Sequence, residues 1–298
     1  MSHSFESQPN PLTDRPVLVT GATGYVAGRL IPLLLESGCR VRAMGRSLEK
    51  MGARPWARHP KVQLIKGDIQ DTASLERAVE GCGTIYYLVH SMISPKKAYR
   101  DADRIGAQNM VRAASARHAE HIIYLGGLGE MDHPNISRHL VSRNEVGNIL
   151  MNGKVPATVL RAAMILGSGS ASFEILRYLA ERLPVMITPR WVHMPTQPIA
   201  ISNVLGYLLG CLNTPEVRNH TFDIGGTDIV SYKDLFTIFA RTAGLPIPMM
   251  IPVPVLTPKL SALWIHLVTP VPSAIALPLT QGLSLPTICQ DDRIQEII

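Results

Sequence analysis

The sequence predicts an α/β protein: a doubly wound parallel sheet with helices on both faces and a smaller C-terminal lobe. Three observations carry this expectation. Short β-branched runs alternate with helix-sized segments over the first half of the chain, and the first run ends in a glycine-rich turn that opens a helix. After residue 165 the alternation breaks into shorter, proline-punctuated stretches.

The runs at 16–20, 40–44, 62–66, 84–89, 121–125 and 158–161 read as strands, and helical connections between them make the sheet parallel. Pro32 falls about two turns into the first helix, where it removes a hydrogen bond and should bend the axis. Asp71 can cap a helix over 72–80 that stops at Gly81, and Pro95 opens a longer one running to about His118. Further on, 221–224 reads as a strand and 231–243 as a helix stopped by Gly244. The segment 246–290 carries nine prolines and one formal charge, Lys259. Its longest proline-free run is eleven residues, against the roughly 20 that a membrane helix needs, so no transmembrane segment is expected. A lobe packed on the core is the plain reading, and contact with an apolar substrate, a partner or a membrane surface is the alternative.

Of the 298 residues, 46% are hydrophobic and 17% charged, enough to bury a sizeable core. The net charge of +6 is spread along the chain. That suits an anionic small ligand, while nucleic-acid binding would need a basic patch or recognition motif, and neither is visible. Cys39, Cys82, Cys211 and Cys289 lie far apart without a C-x-x-C pair, which fits free thiols in a reducing compartment. The first fifteen residues are polar and carry no apolar signal core, so a cytoplasmic protein is expected. No H-E-x-x-H or comparable spacing marks a metal site.

The first turn reads Gly21-Ala22-Thr23-Gly24-Tyr25-Val26-Ala27-Gly28 between a strand and a helix, the context a dinucleotide fingerprint requires. Gly21 permits the tight turn, Gly24 lets the backbone approach a pyrophosphate, and Ala27 or Gly28 allows the helix to pack closely on its strand. The helix N-terminus adds free N–H donors and partial positive charge. Where an NAD site presents a carboxylate about 20 residues on, this chain has Arg46 and Ser47 and no acid. A guanidinium pairs bidentately with a ribose 2′-phosphate, so NADP is favoured, with NAD as the alternative. Asp68, followed by Ile69, either accepts from the adenine amine or caps a turn. Leu88 and Val89 end the fourth strand and His90 and Ser91 follow it at the mouth of the presumed site, where His90 is either a site residue or a satisfied buried histidine. This divides the chain into a lead of residues 1–15, a nucleotide-binding core of 16–165, and a portion of 166–298 that mixes substrate lobe with remaining core elements.

The TGATGYVAG turn, the Gly67-Asp68 pair, Tyr86-Tyr-Leu-Val-His-Ser91 and Phe222-Asp-Ile-Gly-Gly226 resemble the atypical short-chain dehydrogenases/reductases, in particular the NmrA-like and the extended, nucleotide-sugar-epimerase-like branches. The resemblance covers about residues 15–245. It implies a Rossmann fold, nicotinamide-side residues after the fourth, fifth and sixth strands, and a C-terminal substrate portion. Typical members use a tyrosine with a lysine four residues later on one helix. At the matching place this chain reads His139-Leu-Val-Ser-Arg143, which keeps the spacing and changes both residue types. Where the family often has Ser or Thr beside the fifth strand, it reads Gly126-Gly127-Leu128-Gly129. Histidine moves protons near neutral pH and arginine can hold a ribose or an anionic substrate, so His139 and Arg143 are the catalytic candidates. Gly127, Ser168 in the small hydroxyl-rich loop of 166–172, Trp191 and Gln197 are substrate-side candidates, each with a structural alternative.

Three functions compete. The first is an NADPH-dependent reductase of a small, rather apolar carbonyl or quinone, in which the cofactor carries the hydride chemistry. The second is a non-catalytic cofactor-binding redox sensor, as the NmrA-like resemblance implies. The third, a nucleotide-sugar epimerase or dehydratase, is weakest because that chemistry depends most on the absent tyrosine. The expected partner is a small molecule, and the chain is expected to be a monomer or homodimer.

Overall fold

The computed structural model describes residues 15–89, 98–129, 133, 136–253, 268–270, 283 and 285–298, with the backbone alone at 98, 99, 190 and 252. Its centre is a seven-stranded parallel sheet. The strands are β1 (Val17–Thr20), β2 (Val41–Gly45), β3 (Val62–Lys66), β4 (Thr84–Tyr87), β5 (His121–Gly127), β6 (Ala157–Ala162) and, after four short strands, β11 (His220–Ile224). They lie in the order β11-β6-β5-β4-β1-β2-β3. β1 and β4 are buried along their whole length, as an inner parallel strand covered on both faces must be. The chain leaves β1 toward β2 and β3 on one side and toward β4, β5 and β6 on the other. The topological switch point, where such folds bind ligands, therefore falls between β1 and β4.

Helices cover both faces. On one side α1 (Tyr25–Glu36) packs against α7 (Ile201–Asn213), burying Leu30, Ile31, Leu34, Val204 and Leu208 over Val19, Tyr86 and Phe222. On the other, α3 (Thr72–Val79), α4 (Ala98–Ala116) and α5 (Arg138–Met151) bury Leu75, Met110, Val146 and Leu150 against Leu18, Ile85 and Tyr124. α1 runs through Pro32 without ending there. α3 begins where Asp71 accepts from the Ala73 and Ser74 amides, and Gly81 follows it at φ 75°. Of the helix expected to open at Pro95, the described residues show Ala98–Ala116, and Pro95 itself lies outside them.

The C-terminal lobe has its own core, from α6 (Ala171–Arg182), the turn Arg190–His193 and α8 (Tyr232–Thr242). It buries Leu176, Leu179, Met186, Val192, Tyr232, Leu235 and Phe236 together. Three two-stranded ribbons edge it: β7 (Ile165–Leu166) with β10 (Ile199–Ala200), β9 (Pro195–Thr196) with β12 (Val230–Ser231), and β8 (Val185–Pro189) with β13 (Met249–Val253). Of the proline-rich segment only 246–253, 268–270, 283 and 285–290 are described, so its expected packing lies mostly outside the described residues. The chain ends in α9 (Ile294–Ile297), which returns to the main core through the fully buried Ile294. Among the described residues no helix is long and apolar enough to cross a membrane.

Candidate active site

The site begins at the switch point. Thr20 ends β1, and its hydroxyl donates to the Tyr86 carbonyl (3.0 Å) and accepts from the Leu88 amide (3.0 Å), locking the C-terminal ends of β1 and β4 together. Gly21 turns the chain at φ 65°, where a Cβ would lie 2.9 Å from the Leu88 carbonyl oxygen. Only hydrogen fits there. Gly24 is exposed and begins α1 without a side-chain cap, and the first turn of the helix contains no acid. The first-turn amides, lacking intrahelical partners, face outward with the positive end of the helix behind them. A cradle that excludes side chains, offers orphan donors and carries no competing carboxylate fits a dinucleotide diphosphate. Of the two candidates for close helix packing, it is Ala27 that is buried, whereas a Cβ on Gly28 would meet nothing within 4 Å.

Around this cradle Arg46 is exposed at the end of β2, with no hydrogen bond or ion pair among the described residues, and Ser47 caps the short α2 (Leu48–Gly52) by accepting from Lys50 N. Asp68 forms an Asx turn with Gln70 N (3.0 Å). Ile69 is buried, and its carbonyl accepts from Asn109 Nδ2 (3.0 Å). Leu88 and Val89 line the end of β4, half-buried. His90 and Ser91 lie outside the described residues. One residue carried no sequence signal: Arg54 donates to the Thr23 carbonyl (2.6 Å) and braces the glycine turn from outside.

Beyond the C-terminal ends of β5 and β6 a cavity of about 330 Å³ opens between the sheet and the C-terminal lobe. It brings Tyr25 of α1 together with Gly127 of β5, His139 and Arg143 of α5, and Trp191 of the 190–193 turn. The rest of its wall is largely aliphatic and aromatic, with Met164, Leu176, Leu179, Tyr232 and Phe236, and among the described residues it contains no Asp or Glu. Ser168 and Gln197 are placed elsewhere. The Ser168 carbonyl accepts from Arg29 Nη2 (2.7 Å). Gln197 donates to the Gly226 carbonyl (2.8 Å) and accepts from the Cys289 amide (3.0 Å), stitching the C-terminal tail to the sheet.

Ser137 caps α5 by accepting from Leu140 N, which sets the helix phase. His139 and Arg143, four residues apart, then share its cavity face. The Arg143 guanidinium donates to the Leu125 carbonyl and lies 5.8 Å from the Tyr124 ring centroid. Its stem also packs against β5: a Cβ at Gly127 would lie 2.7 Å from Leu140 Cδ2 and 3.3 Å from Arg143 Cδ, so a side chain there requires the Leu140 side chain to shift. Trp191 meets Tyr232 edge-on (5.8 Å, 89°), and its indole N–H is buried without a partner among the described residues. The Tyr25 hydroxyl is likewise covered, beside Ser170, without a well-formed hydrogen bond. Burial raises the Tyr25 pKa, and the Arg29 cation pulls it partly back.

The four cysteines are free. Burial pushes Cys211 up to about 12 and Cys289 up to about 11, so neither offers a thiolate at neutral pH. Among the described residues no group of three or more His, Cys, Asp or Glu is placed to hold a metal ion.

A family model described as NAD(P)H-binding matches residues 21–175, from the glycine turn into α6. Over 238 residues the chain is 24% identical to cinnamoyl-CoA reductase 2 of Medicago truncatula, covering 65% of this chain and 68% of that protein. A nucleoside-diphosphate-sugar epimerase from Staphylococcus aureus superposes with a TM-score of 0.75 over 95% of both chains at 18% identity. A triphenylmethane reductase from Citrobacter sp., crystallised with NADP(H), superposes with a TM-score of 0.73 over 95% of both chains at 20% identity. These likenesses show a shared Rossmann-like fold.

Proposed function

The chain belongs to the NAD(P)H-binding family, and from that premise we propose that it is an NADPH-dependent reductase of a small, rather apolar carbonyl or quinone. The observation that carries this reading is the cavity: about 330 Å³, apolar, free of carboxylates among the described residues, and adjoining the glycine turn through Tyr25. It suits a substrate of few polar atoms more than a sugar nucleotide, whose hydroxyls would be left without partners on such a wall.

The roles follow from position. The orphan amides of the first turn of α1 hold the diphosphate, and Arg46 and Ser47 receive the 2′-phosphate that distinguishes NADPH. The bound dinucleotide supplies a hydride. Arg143 presents a fixed positive charge where the acceptor oxygen gains negative charge, and His139 delivers a proton to that oxygen. The absence of the family's tyrosine and lysine supports a second reading, a redox sensor that binds NADPH without turning it over. Four free thiols support a reducing, cytoplasmic setting.

NADPH oxidation across a panel of quinones, enals and aryl ketones tests the proposal. Turnover is expected, and His139→Ala should lower kcat by about a hundredfold with little change in NADPH affinity. Tight NADPH binding with no turnover on any panel member would establish the sensor instead, and unchanged kcat in His139→Ala would remove that residue as the proton donor.

A further inference from the structure

Resting on the reductase reading, we propose that Arg29 is a positioning residue that couples the cofactor cradle to the substrate cavity. Tyr25 is the first residue of α1, directly beneath the cradle, and Arg29 follows one turn later. The Arg29 guanidinium lies 4.0 Å from the centroid of the Tyr25 ring. From there its Nη2 reaches across to the Ser168 carbonyl, 2.7 Å away. The loop it grips is built to be gripped. Gly167 comes so near that a Cβ would lie 2.4 Å from Tyr25 Oη, and Gly169 takes φ 85° with its Cα side against the same ring. Neither position tolerates a side chain without moving the loop.

The grip reaches the cavity through α6. Immediately after Gly169, Ser170 accepts from Phe173 N (3.2 Å) and donates to the Ile165 carbonyl (3.0 Å), which fixes where α6 begins. Ile175, Leu176 and Leu179 on that helix form one wall of the cavity. Glu174 closes the loop from the other end, accepting from Gly169 N (2.8 Å) and pairing with Arg177 (2.7 Å). One side chain of the cofactor-binding helix therefore sets the start of a substrate-binding helix more than a hundred residues away in sequence. A diphosphate on the first-turn amides orders the turn that carries Tyr25 and, through Arg29, the Gly167–Ser170 loop. The ordering cost of that loop is then met once, by the cofactor, and substrate binds a prepared wall.

Hydrogen exchange over residues 167–176, with and without NADPH, tests this in the full chain. NADPH should slow exchange there in the wild type, and the effect should vanish in Arg29→Gln. In the same variant the substrate KM should rise about tenfold while the NADPH Kd stays within about twofold. Arg29→Lys keeps the charge over the ring and loses the guanidinium fork, so it should fall between the two. If NADPH leaves this segment's exchange unchanged in the wild type, or protects it equally in Arg29→Gln, the coupling is overturned. A lower Tm for Arg29→Gln with full NADPH-dependent protection would overturn it too, as a purely structural role. A wild type that shows the protection yet oxidises no NADPH sinks the reductase reading and leaves the coupling standing.

Discussion

Arg46 is an exposed cation with no partner among the described residues, beside a cofactor cradle that lacks the acid an NAD site presents. Replacing it with alanine should weaken NADPH binding by about ten- to a hundredfold, the worth of a charged hydrogen-bonded pair. NADH affinity should stay the same, and fluorescence titration with both nucleotides checks it. His121 is the opposite case, a buried ring whose Nε2 meets the Thr158 hydroxyl at 2.8 Å and whose pKa burial lowers from 6.5 to about 4. As pH falls below 6.5 the unfolded chain takes up a proton that the native ring refuses until about 4. The stability associated with this ring is therefore complete above 6.5 and declines between 6.5 and 4, by about 2 kcal/mol at pH 5. Denaturation at pH 7 and pH 5 should show this decline in the wild type and a correspondingly smaller one in His121→Asn. At this scale the residue types were legible in the sequence and their surroundings were not. Nothing in the letters Gly126-Gly127 says that the Leu140 and Arg143 side chains pack against Gly127.

Helix boundaries were the most legible elements, because capping chemistry is local. Asp71 and Ser231 stand one residue before the helices they start, and the Ser231 and Asp234 side chains close a reciprocal capping box. Ser231→Ala should cost about 1 kcal/mol in chemical denaturation and leave NADPH affinity unchanged, since α8 lies in the C-terminal lobe. A loss of affinity would mean that the lobe and the cradle are more tightly coupled than the Arg29 contact alone provides. The i, i+4 spacing of His139 and Arg143 is by itself enough to put both on one face of α5. The loop of 166–172 was harder to read. Its hydroxyl-rich composition marks Ser168 as a substrate-side candidate, whereas Gly167 makes room for Tyr25, Gly169 takes φ 85°, and the Ser168 carbonyl serves Arg29. A glycine reports that space or φ is needed, without naming what needs it.

Across the whole molecule, the tail closes what the sheet begins. Gln290 N donates to the buried Asp223 carboxylate (2.9 Å), which also accepts from Arg161 (2.6 Å), and Ile294 inserts into the main core where α9 meets β11. Ile294→Ala should cost about 3 kcal/mol, measured by urea denaturation, and a loss well under 1 kcal/mol would mean that the tail is not part of the core. The sequence alone determined the βα rhythm, the parallel sheet and the glycine turn. Those depend on backbone sterics, capping and periodicity that act within one or two turns of chain. Tertiary structure alone decided that Tyr25, Gly127, His139, Arg143 and Trp191 share one cavity while Ser168 and Gln197 do not. Which side chains meet depends on how helices and strands distant in sequence pack to bury apolar surface, and that packing is a property of the assembled core that no local stretch encodes.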